Sequence, residues 1–251
     1  WKNLLPRPWI VISDAAPGIL MPGPVARESS TSMSYYPIFL QLERRTVLVV
    51  GGGSVALRKV ETLLEYGALV RLVSRELTRP FMALMEKDQV AYLGPRFREE
   101  YLDGIFLVIA ATDDHDLNHT ISVSARSRGL LVNAVDQPED CTFIVPSIVR
   151  RGDLLIAVST SGKSPAFARR VREDLEQRFG DEYGIFLALM GKVRERVLAL
   201  GLSQAENSRL FKEIVDADLP KAISAQQWEA VEAALRRILP HAVDIKDLFE
   251  R

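Results

Sequence analysis

The sequence predicts an α/β fold in which a parallel sheet is followed by a small α+β unit and then by helices. Strand-sized apolar runs alternate with segments of helical periodicity as far as residue 135, which is typical of a doubly wound sheet. Two later apolar runs, joined by Arg150-Arg151-Gly152, are close enough to form an antiparallel hairpin. From residue 183 onwards only helical periodicity remains.

Composition excludes several classes of protein. The 251 residues are 47% hydrophobic and carry a net charge of −1, so a general nucleic-acid binder is not expected. The single cysteine, Cys141, excludes an internal disulfide and a multi-cysteine metal site. No apolar run has the length of a membrane span. We therefore expect a cytoplasmic protein that binds neither nucleic acid nor membrane. His115 and His119 are predicted as surface polar residues, with a metal-binding pair as the alternative, so no resident metal is expected.

The first strand and helix carry a dinucleotide-binding pattern. The apolar run 47–50 leads into Gly51-x-Gly53-x-x-Ala56, and helical spacing follows to residue 66. In this pattern Gly51 allows a tight turn, Gly53 lets the backbone approach a pyrophosphate, and Ala56 lets the helix pack closely on the strand. The helix N-terminus supplies N–H groups to the phosphates. The alternative is an ordinary strand-to-helix turn that binds nothing.

Polar residues follow the next predicted strands, where ligands bind in open α/β sheets. Strand 69–73 ends at Ser74-Arg75-Glu76. Ser74 is not the acidic residue typical of NAD sites, and Arg75 can pair with the 2′-phosphate of NADP. The choice between NAD and NADP therefore stays open. Strand 105–111 ends at Thr112-Asp113-Asp114. Strand 130–135 contains Asn133 and ends at Asp136. We expect these polar groups to line one crevice.

A second glycine-containing loop follows the hairpin strands, which we predict at 142–149 and 153–159. It resembles a loose phosphate-binding P-loop, but Pro165 favours Ser164 as a helix N-cap, and Ala157 stands at the first glycine position. An NTPase is therefore disfavoured, and an anionic ligand with carboxylates suits the loop better. A capped surface helix is the alternative. The predicted substrate-binding residues are Thr160, Ser161, Gly162, Lys163 and Ser164.

The chain divides into four predicted regions. Residues 1–34, with five prolines, are expected to form a disordered extension. Residues 35–141 form the Rossmann-type dinucleotide-binding domain, residues 142–180 the small α+β unit, and residues 181–251 the C-terminal helical domain. The remaining elements are predicted as a strand or lead-in at 36–41, a strand at 89–93, and helices at 77–87, 118–128, 166–178, 183–200, 203–215 and 225–239.

Four stretches together resemble the precorrin-2 dehydrogenase, or amino-terminal siroheme synthase, family. They are YPIFLQLERRTVLVVGGGSVALRK, FLVIAATDDHDLN, LVNAVDQPEDCTFIVPSIVRRGDLLIAVSTSGKSPAFARRVREDLE and YGIFLALMGKVRERV. The resemblance implies oxidation of precorrin-2 to sirohydrochlorin with NAD⁺ in siroheme biosynthesis. It also implies a homodimer in which residues 142–180 act as the dimerisation unit. Some relatives also insert iron, so ferrochelatase activity, with Fe²⁺ as a transient partner, is left open.

The same resemblance assigns roles to individual residues. Asp136 matches the catalytic acid/base, a role suited to a carboxylate at the crevice that receives a proton as hydride leaves the substrate. A turn cap before Pro138 is the alternative for Asp136. A non-catalytic NAD(H)-sensing or tetrapyrrole-carrying protein would keep the cofactor residues and not require Asp136. The predicted cofactor-binding residues are Gly51, Gly53, Ser54, Val55, Ala56, Arg75, Glu76, Thr112, Asp113 and Asn133.

Overall fold

A computed structural model describes residues 35–245 and residue 248. The expected disorder of residues 1–34 falls outside this range. The first part of the described chain is a five-stranded, wholly parallel sheet with the strand order β3-β2-β1-β4-β5. Its elements are β1 (Thr46–Val50), α1 (Ser54–Glu65), β2 (Leu69–Val73), α2 (Arg79–Glu86), β3 (Val90–Gly94), β4 (Leu107–Ala110), α3 (His115–Ser127) and β5 (Leu131–Ala134).

The central strand β1 is apolar throughout because both of its faces are covered. Val47 and Val49 pack into one core with Val60 of α1, and Leu48 and Val50 pack into a second core with α3. Alternate side chains of a strand point to opposite faces, so a strand between two helical layers needs an unbroken apolar run. The predicted doubly wound sheet is confirmed, with α1 and α2 on one face and α3 on the other.

The second part begins with the predicted antiparallel hairpin, β6 (Ser147–Arg151) and β7 (Leu154–Val158). Arg150 of β6 stacks over the Tyr66 ring at the end of α1, 5.1 Å from its centroid, which joins the hairpin to the sheet domain. Five helices follow, and the last four build a separate hydrophobic core. They are α4 (Pro165–Arg178), α5 (Glu182–Ala199), α6 (Gln204–Asp216), α7 (Leu219–Ser224) and α8 (Trp228–Ile238).

Several predicted boundaries are wrong, and hydrogen bonds explain two of them. β6 begins at Ser147 and not at residue 142, because the Thr142 backbone and hydroxyl bond to Val132 on β5. α3 begins three residues before the predicted position because the Asp114 side chain accepts from Leu117 N and caps it. Residues 36–41 form a lead-in and not a strand.

The C-terminal helices also differ from their predicted limits. Helix α7 forms between the predicted helices 203–215 and 225–239, where no helix was predicted. Pro220 is compatible with it because it lies in the first turn, where a backbone N–H has no partner within the helix. Helix α8 begins at Trp228, three residues late, because Gln226 has a left-handed backbone with φ of 58°. No helix within the described range is long and apolar enough to cross a membrane.

The separate helical core gives a direct stability test on α6, where Ile214 is fully buried and its neighbour Val215 is exposed. We expect Ile214→Ala to lower the free energy of unfolding by about 2–5 kcal/mol, because it leaves a cavity among packed helices. Val215→Ala is the matched control and should change it by less than about 0.5 kcal/mol. Urea unfolding followed by circular dichroism measures both variants, and equal effects would contradict this account of the core.

Candidate functional site at the carboxyl edge of the sheet

Strand register brings four strand ends to one edge. Val50 of β1 pairs with Val73 of β2 and with Ala110 of β4, and Ala110 pairs with Ala134 of β5. Backbone bonds continue beyond these residues, from Gly51 N to Val73 O at 2.8 Å, Ala111 N to Val50 O at 2.7 Å and Val135 N to Ala110 O at 2.8 Å. With neighbouring strands about 4.8 Å apart, the edge from β2 to β5 spans about 14 Å. The switch in strand order falls between β1 and β4, where ligands bind in sheets of this type.

The glycine turn after β1 leaves no room for side chains at two of its positions. Gly51 has φ of +129°, and a Cβ there would lie 2.2 Å from Ala111 O. A Cβ on Gly52 would lie 2.1 Å from Ser74 Oγ. Gly52 was not singled out by the dinucleotide pattern, and the only sequence signal for it is that three glycines are consecutive. The turn is therefore packed tightly against the ends of both neighbouring strands.

The third glycine faces open space and meets the requirement for a phosphate. A Cβ on Gly53 would meet nothing within 4 Å. Gly53 is also the N-cap of α1 and has no side chain to cap it, so the first N–H groups of Ser54, Val55 and Ala56 have no capping partner from it. Ala56 is fully buried against the sheet, as predicted from the close packing of helix and strand. Free N–H groups beside an open glycine fit the pyrophosphate of a dinucleotide.

The end of β2 is held by internal hydrogen bonds. Ser74 is buried, its hydroxyl donates to Glu76 O at 2.5 Å, and its carbonyl accepts from Tyr92 Oη at 3.0 Å. Arg75 is exposed and reaches towards β4, where its Nη2 lies 3.9 Å from Asp114 Oδ2. Glu76 is also exposed and does not begin a helix, since α2 starts at Arg79. The only ion pair of Arg75 in the described chain therefore joins the segments that follow β2 and β4, the two strands on either side of β1.

The loop after β4 is organised by Asn118, which is completely buried on α3. Its Oδ1 accepts from the Thr112 hydroxyl at 2.7 Å and from Thr112 N at 3.2 Å, and its Nδ2 donates to Thr112 O at 3.0 Å. Asp114 caps α3, whereas Asp113 is exposed. Asn118 was not among the predicted site residues, because an asparagine in a helical segment does not by itself indicate a functional or structural role.

The end of β5 places Asp136 at the same edge. Asp136 is exposed and has a left-handed backbone with φ of 61°, a conformation that aspartate tolerates better than most residues. Asn133 lies in β5, and its Nδ2 donates to Phe143 O at 3.1 Å, so its amide supports the following loop. Burial raises the pKa of the nearby Cys141 thiol, which donates to Ala134 O at 3.2 Å. Cys141 is therefore a protonated structural group.

The loop 160–164, predicted to bind substrate, lies on a different part of the chain, after β7. Lys163 N donates to Thr160 O at 3.0 Å across Ser161 and Gly162, both with positive φ. The Thr160 hydroxyl donates to Ser164 O, and Ser164 caps α4 through Phe167 N, as predicted from Pro165. Among the residues described, the hydrogen bonds of this loop stay within 159–168, and none reaches the sheet edge. The exposed Lys163 is the cation that the loop presents to solvent.

Two family models match the chain in succession. Residues 38–147 match the family described as putative NAD(P)-binding, which agrees with the predicted NAD cofactor. Residues 151–178 match the family described as sirohaem biosynthesis protein, central. The boundary between the two matches falls within β6.

Curated relatives and one solved structure agree with these models. Siroheme synthase 1 of Pectobacterium atrosepticum is 40% identical over 216 residues, covering 86% of this chain and 45% of that protein. Siroheme synthase of Photorhabdus laumondii is 40% identical over 207 residues, covering 82% and 44%. The chain thus spans about half the length of these relatives. The structure of SirC, precorrin-2 dehydrogenase, has a TM-score of 0.67 and 28% identity, covering 80% of this chain and all of that one. Together these matches confirm the family resemblance predicted from the sequence, and the chain is similar to the siroheme synthase and precorrin-2 dehydrogenase family.

Proposed function

We propose that the protein is an NAD⁺-dependent precorrin-2 dehydrogenase that forms sirohydrochlorin in siroheme biosynthesis. The observation that carries the proposal is the shared sheet edge, where the glycine turn after β1 and the Asp136 turn after β5 both lie. The similarity to SirC and to the siroheme synthases supports the choice of substrate. Insertion of iron into the sirohydrochlorin formed is the second reaction to be tested in the same assay.

We propose that the dinucleotide lies along this edge with its pyrophosphate at Gly53 and at the N–H groups of Ser54, Val55 and Ala56. Gly51 shapes the turn. Thr112, Asp113 and Asn133 line the side of this dinucleotide site formed by β4 and β5. Arg75 and Glu76 lie on the opposite side, at the end of β2. NAD⁺ held by these residues would supply the hydride acceptor for the oxidation of the substrate. NAD⁺ is favoured over NADP⁺ because Asp114 pairs with the Arg75 guanidinium and because its negative charge would repel a 2′-phosphate.

Oxidation of precorrin-2 also releases a proton, and the residue proposed to receive it is Asp136. Its carboxylate is exposed at the crevice and makes no hydrogen bond or ion pair in the described part of the chain, so it is free to face a ligand. A carboxylate positioned at the reacting carbon accepts that proton as a general base. The loop 160–164, with Lys163, is proposed to bind the carboxylates of the tetrapyrrole.

We further propose that the protein is a cytoplasmic homodimer. Within each subunit, we propose the predicted domain boundaries after residues 141 and 180. Apolar side chains are exposed on and beside the hairpin unit, namely Val145, Phe167 and Ile185, as expected where a second subunit packs. The division at 180 is supported by the core of α5–α8, whose buried members begin at Phe186. One protonated cysteine suits a reducing compartment.

Turnover of precorrin-2 tests the dehydrogenase directly. Under anaerobic conditions with NAD⁺, we expect formation of sirohydrochlorin, followed by absorbance. Asp136→Asn should lower kcat roughly 100-fold or more, because the proton acceptor is lost while asparagine keeps the left-handed backbone. NAD⁺ affinity should change less than about twofold. Addition of Fe²⁺ then shows whether sirohydrochlorin is metallated faster than in the enzyme-free control.

The matched control is Glu139→Gln, which removes an exposed carboxylate three residues away. It should retain the wild-type kcat. If Asp136→Asn also keeps its kcat, Asp136 is a turn residue. If the wild-type protein binds NAD⁺ and does not oxidise precorrin-2, the sensor or carrier function replaces the dehydrogenase.

The glycine turn separates cofactor binding from folding. Gly53→Ala puts a methyl group where the phosphate is proposed to lie, so we expect the NAD⁺ dissociation constant to rise about tenfold, with an unfolding free energy lower by about 0.5–1 kcal/mol. Gly51→Ala should instead lower the unfolding free energy by about 2–4 kcal/mol, because its Cβ clashes with Ala111 O at a positive φ. Calorimetric titration and thermal unfolding measure the two effects. Unchanged NAD⁺ binding by Gly53→Ala would contradict the proposal that the pyrophosphate binds at this turn.

Cofactor preference tests the pair of Arg75 and Asp114. Asp114→Asn keeps the acceptor that caps α3 and removes the charge facing Arg75. We expect kcat/KM for NADP⁺ relative to NAD⁺ to rise about threefold, as for a solvent-exposed charge worth about 0.5–1 kcal/mol. Asp116→Asn removes the same charge from the first turn of α3 without touching this pair. An equal rise of this ratio in both variants would show that it reflects the net charge of the protein and not the pair of Arg75 and Asp114.

A further inference from the structure

We propose that His119, Asp140 and Gln137 form a network that positions the Asp136 turn on helix α3. The network lies in the described structure regardless of the reaction. Only its effect on turnover rests on the proposed function. None of these three residues was among the predicted site residues.

The centre of the network is the buried carboxylate of Asp140, which is 2% exposed. Its Oδ1 lies 2.7 Å from His119 Nδ1, and its Oδ2 accepts from Gln137 Nε2 at 3.1 Å. Its backbone carbonyl accepts from Ser122 Oγ at 2.6 Å. A carboxylate only accepts hydrogen bonds, so the contact is a hydrogen bond in the His119 tautomer that has its hydrogen on Nδ1. A carboxylate withdrawn from water is costly unless it is bonded in this way, so these contacts hold Asp140 in place.

Gln137 links this carboxylate to the residue that matters for chemistry, since it directly follows Asp136. It is 8% exposed, and its Nε2 donates to Asp140 Oδ2 and to His115 O at 3.2 Å. Its Oε1 is buried without a donor among the residues described. The opposite amide orientation would place Oε1 against two acceptors, so the orientation shown is the one that the neighbours permit.

The Asp136 turn is therefore held on both sides. On the strand side, Val135 N bonds to Ala110 O at 2.8 Å. On the other side, Gln137 and Asp140 are tied to three positions of α3, namely His115, His119 and Ser122. The adjacent α3 residue Asn118 fixes the Thr112 loop. One helix thus supports the loops of both β4 and β5, and it sets where Asp136 lies relative to the dinucleotide crevice.

Such support matters because proton transfer requires close placement of the base. A displacement of about 1 Å at a reacting group costs up to about 100-fold in rate. Asp136 itself has a backbone conformation that most residues avoid, and that conformation persists only when its surroundings hold it. Loss of one network bond should loosen the turn without affecting the glycine turn after β1.

The test compares two variants of His119. His119→Phe keeps an aromatic ring and removes the donor, whereas His119→Asn places an amide N–H near the position of Nδ1. We expect His119→Phe to lower kcat about tenfold with KM for NAD⁺ unchanged within twofold, and to speed amide hydrogen exchange of residues 135–141 at least tenfold. His119→Asn should restore most of both. Thr120→Ala, on the exposed face of the same helix, is the control and should resemble wild type.

Hydrogen exchange decides the proposal even without turnover. If wild-type protein fails to oxidise precorrin-2, the proposed function is wrong, and faster exchange at 135–141 in His119→Phe but not in His119→Asn still supports the network. The network is refuted if His119→Phe leaves exchange at 135–141 unchanged, or if His119→Asn is as impaired as His119→Phe. Loss of NAD⁺ affinity in parallel with kcat would also refute it, because it would indicate general damage to the crevice.

Discussion

Backbone contact at the end of β1 is the constraint on which the site depends. Gly51 and Gly52 touch the ends of β4 and β2 so closely that neither accepts a methyl group. This contact requires the three strands to end at the same level, which the parallel register provides. The helix α1 then starts at the edge without a side-chain cap on its first N–H groups, and its buried face packs back on the same strands. The geometry of the anion site proposed at this edge therefore follows from the packing of the sheet.

The polar residues around this edge fall into two kinds. Asn118, Ser74 and Asp140 are buried and make local hydrogen bonds, so they shape the loops. Asp136 at this edge, and Lys163 on the separate loop 160–164, are exposed, and they are the residues proposed to face ligands. A buried polar group is stabilising only when it is bonded, whereas a group that binds substrate must be available to it. Burial thus separates the residues that position the site from those proposed to act in it.

The two halves of the described chain have different stabilising cores. The sheet domain is held by apolar layers on both faces of β1, and α5–α8 pack around residues such as Val193 and Ile214. The hairpin unit lies between them and buries fewer side chains, with Val149 as its fully buried strand residue. Such a unit gains stability from the elements on either side and from any surface that covers its exposed apolar residues. This is consistent with the dimerisation role proposed for residues 142–180.

The sequence by itself determined the class of fold, the glycine turn and the strand ends that carry polar residues. These follow from local patterns, namely β-branched apolar runs, helical spacing, and Ser164 followed by Pro165. Only the tertiary structure decided that Gly52 is as constrained as Gly51, that Thr142 bonds to β5 in place of extending β6, and that Asp140 is buried beside His119. Each of these depends on residues far apart in the chain. Contacts such as that between positions 119 and 140 leave no periodic trace in a sequence, because they arise only when separate elements pack together.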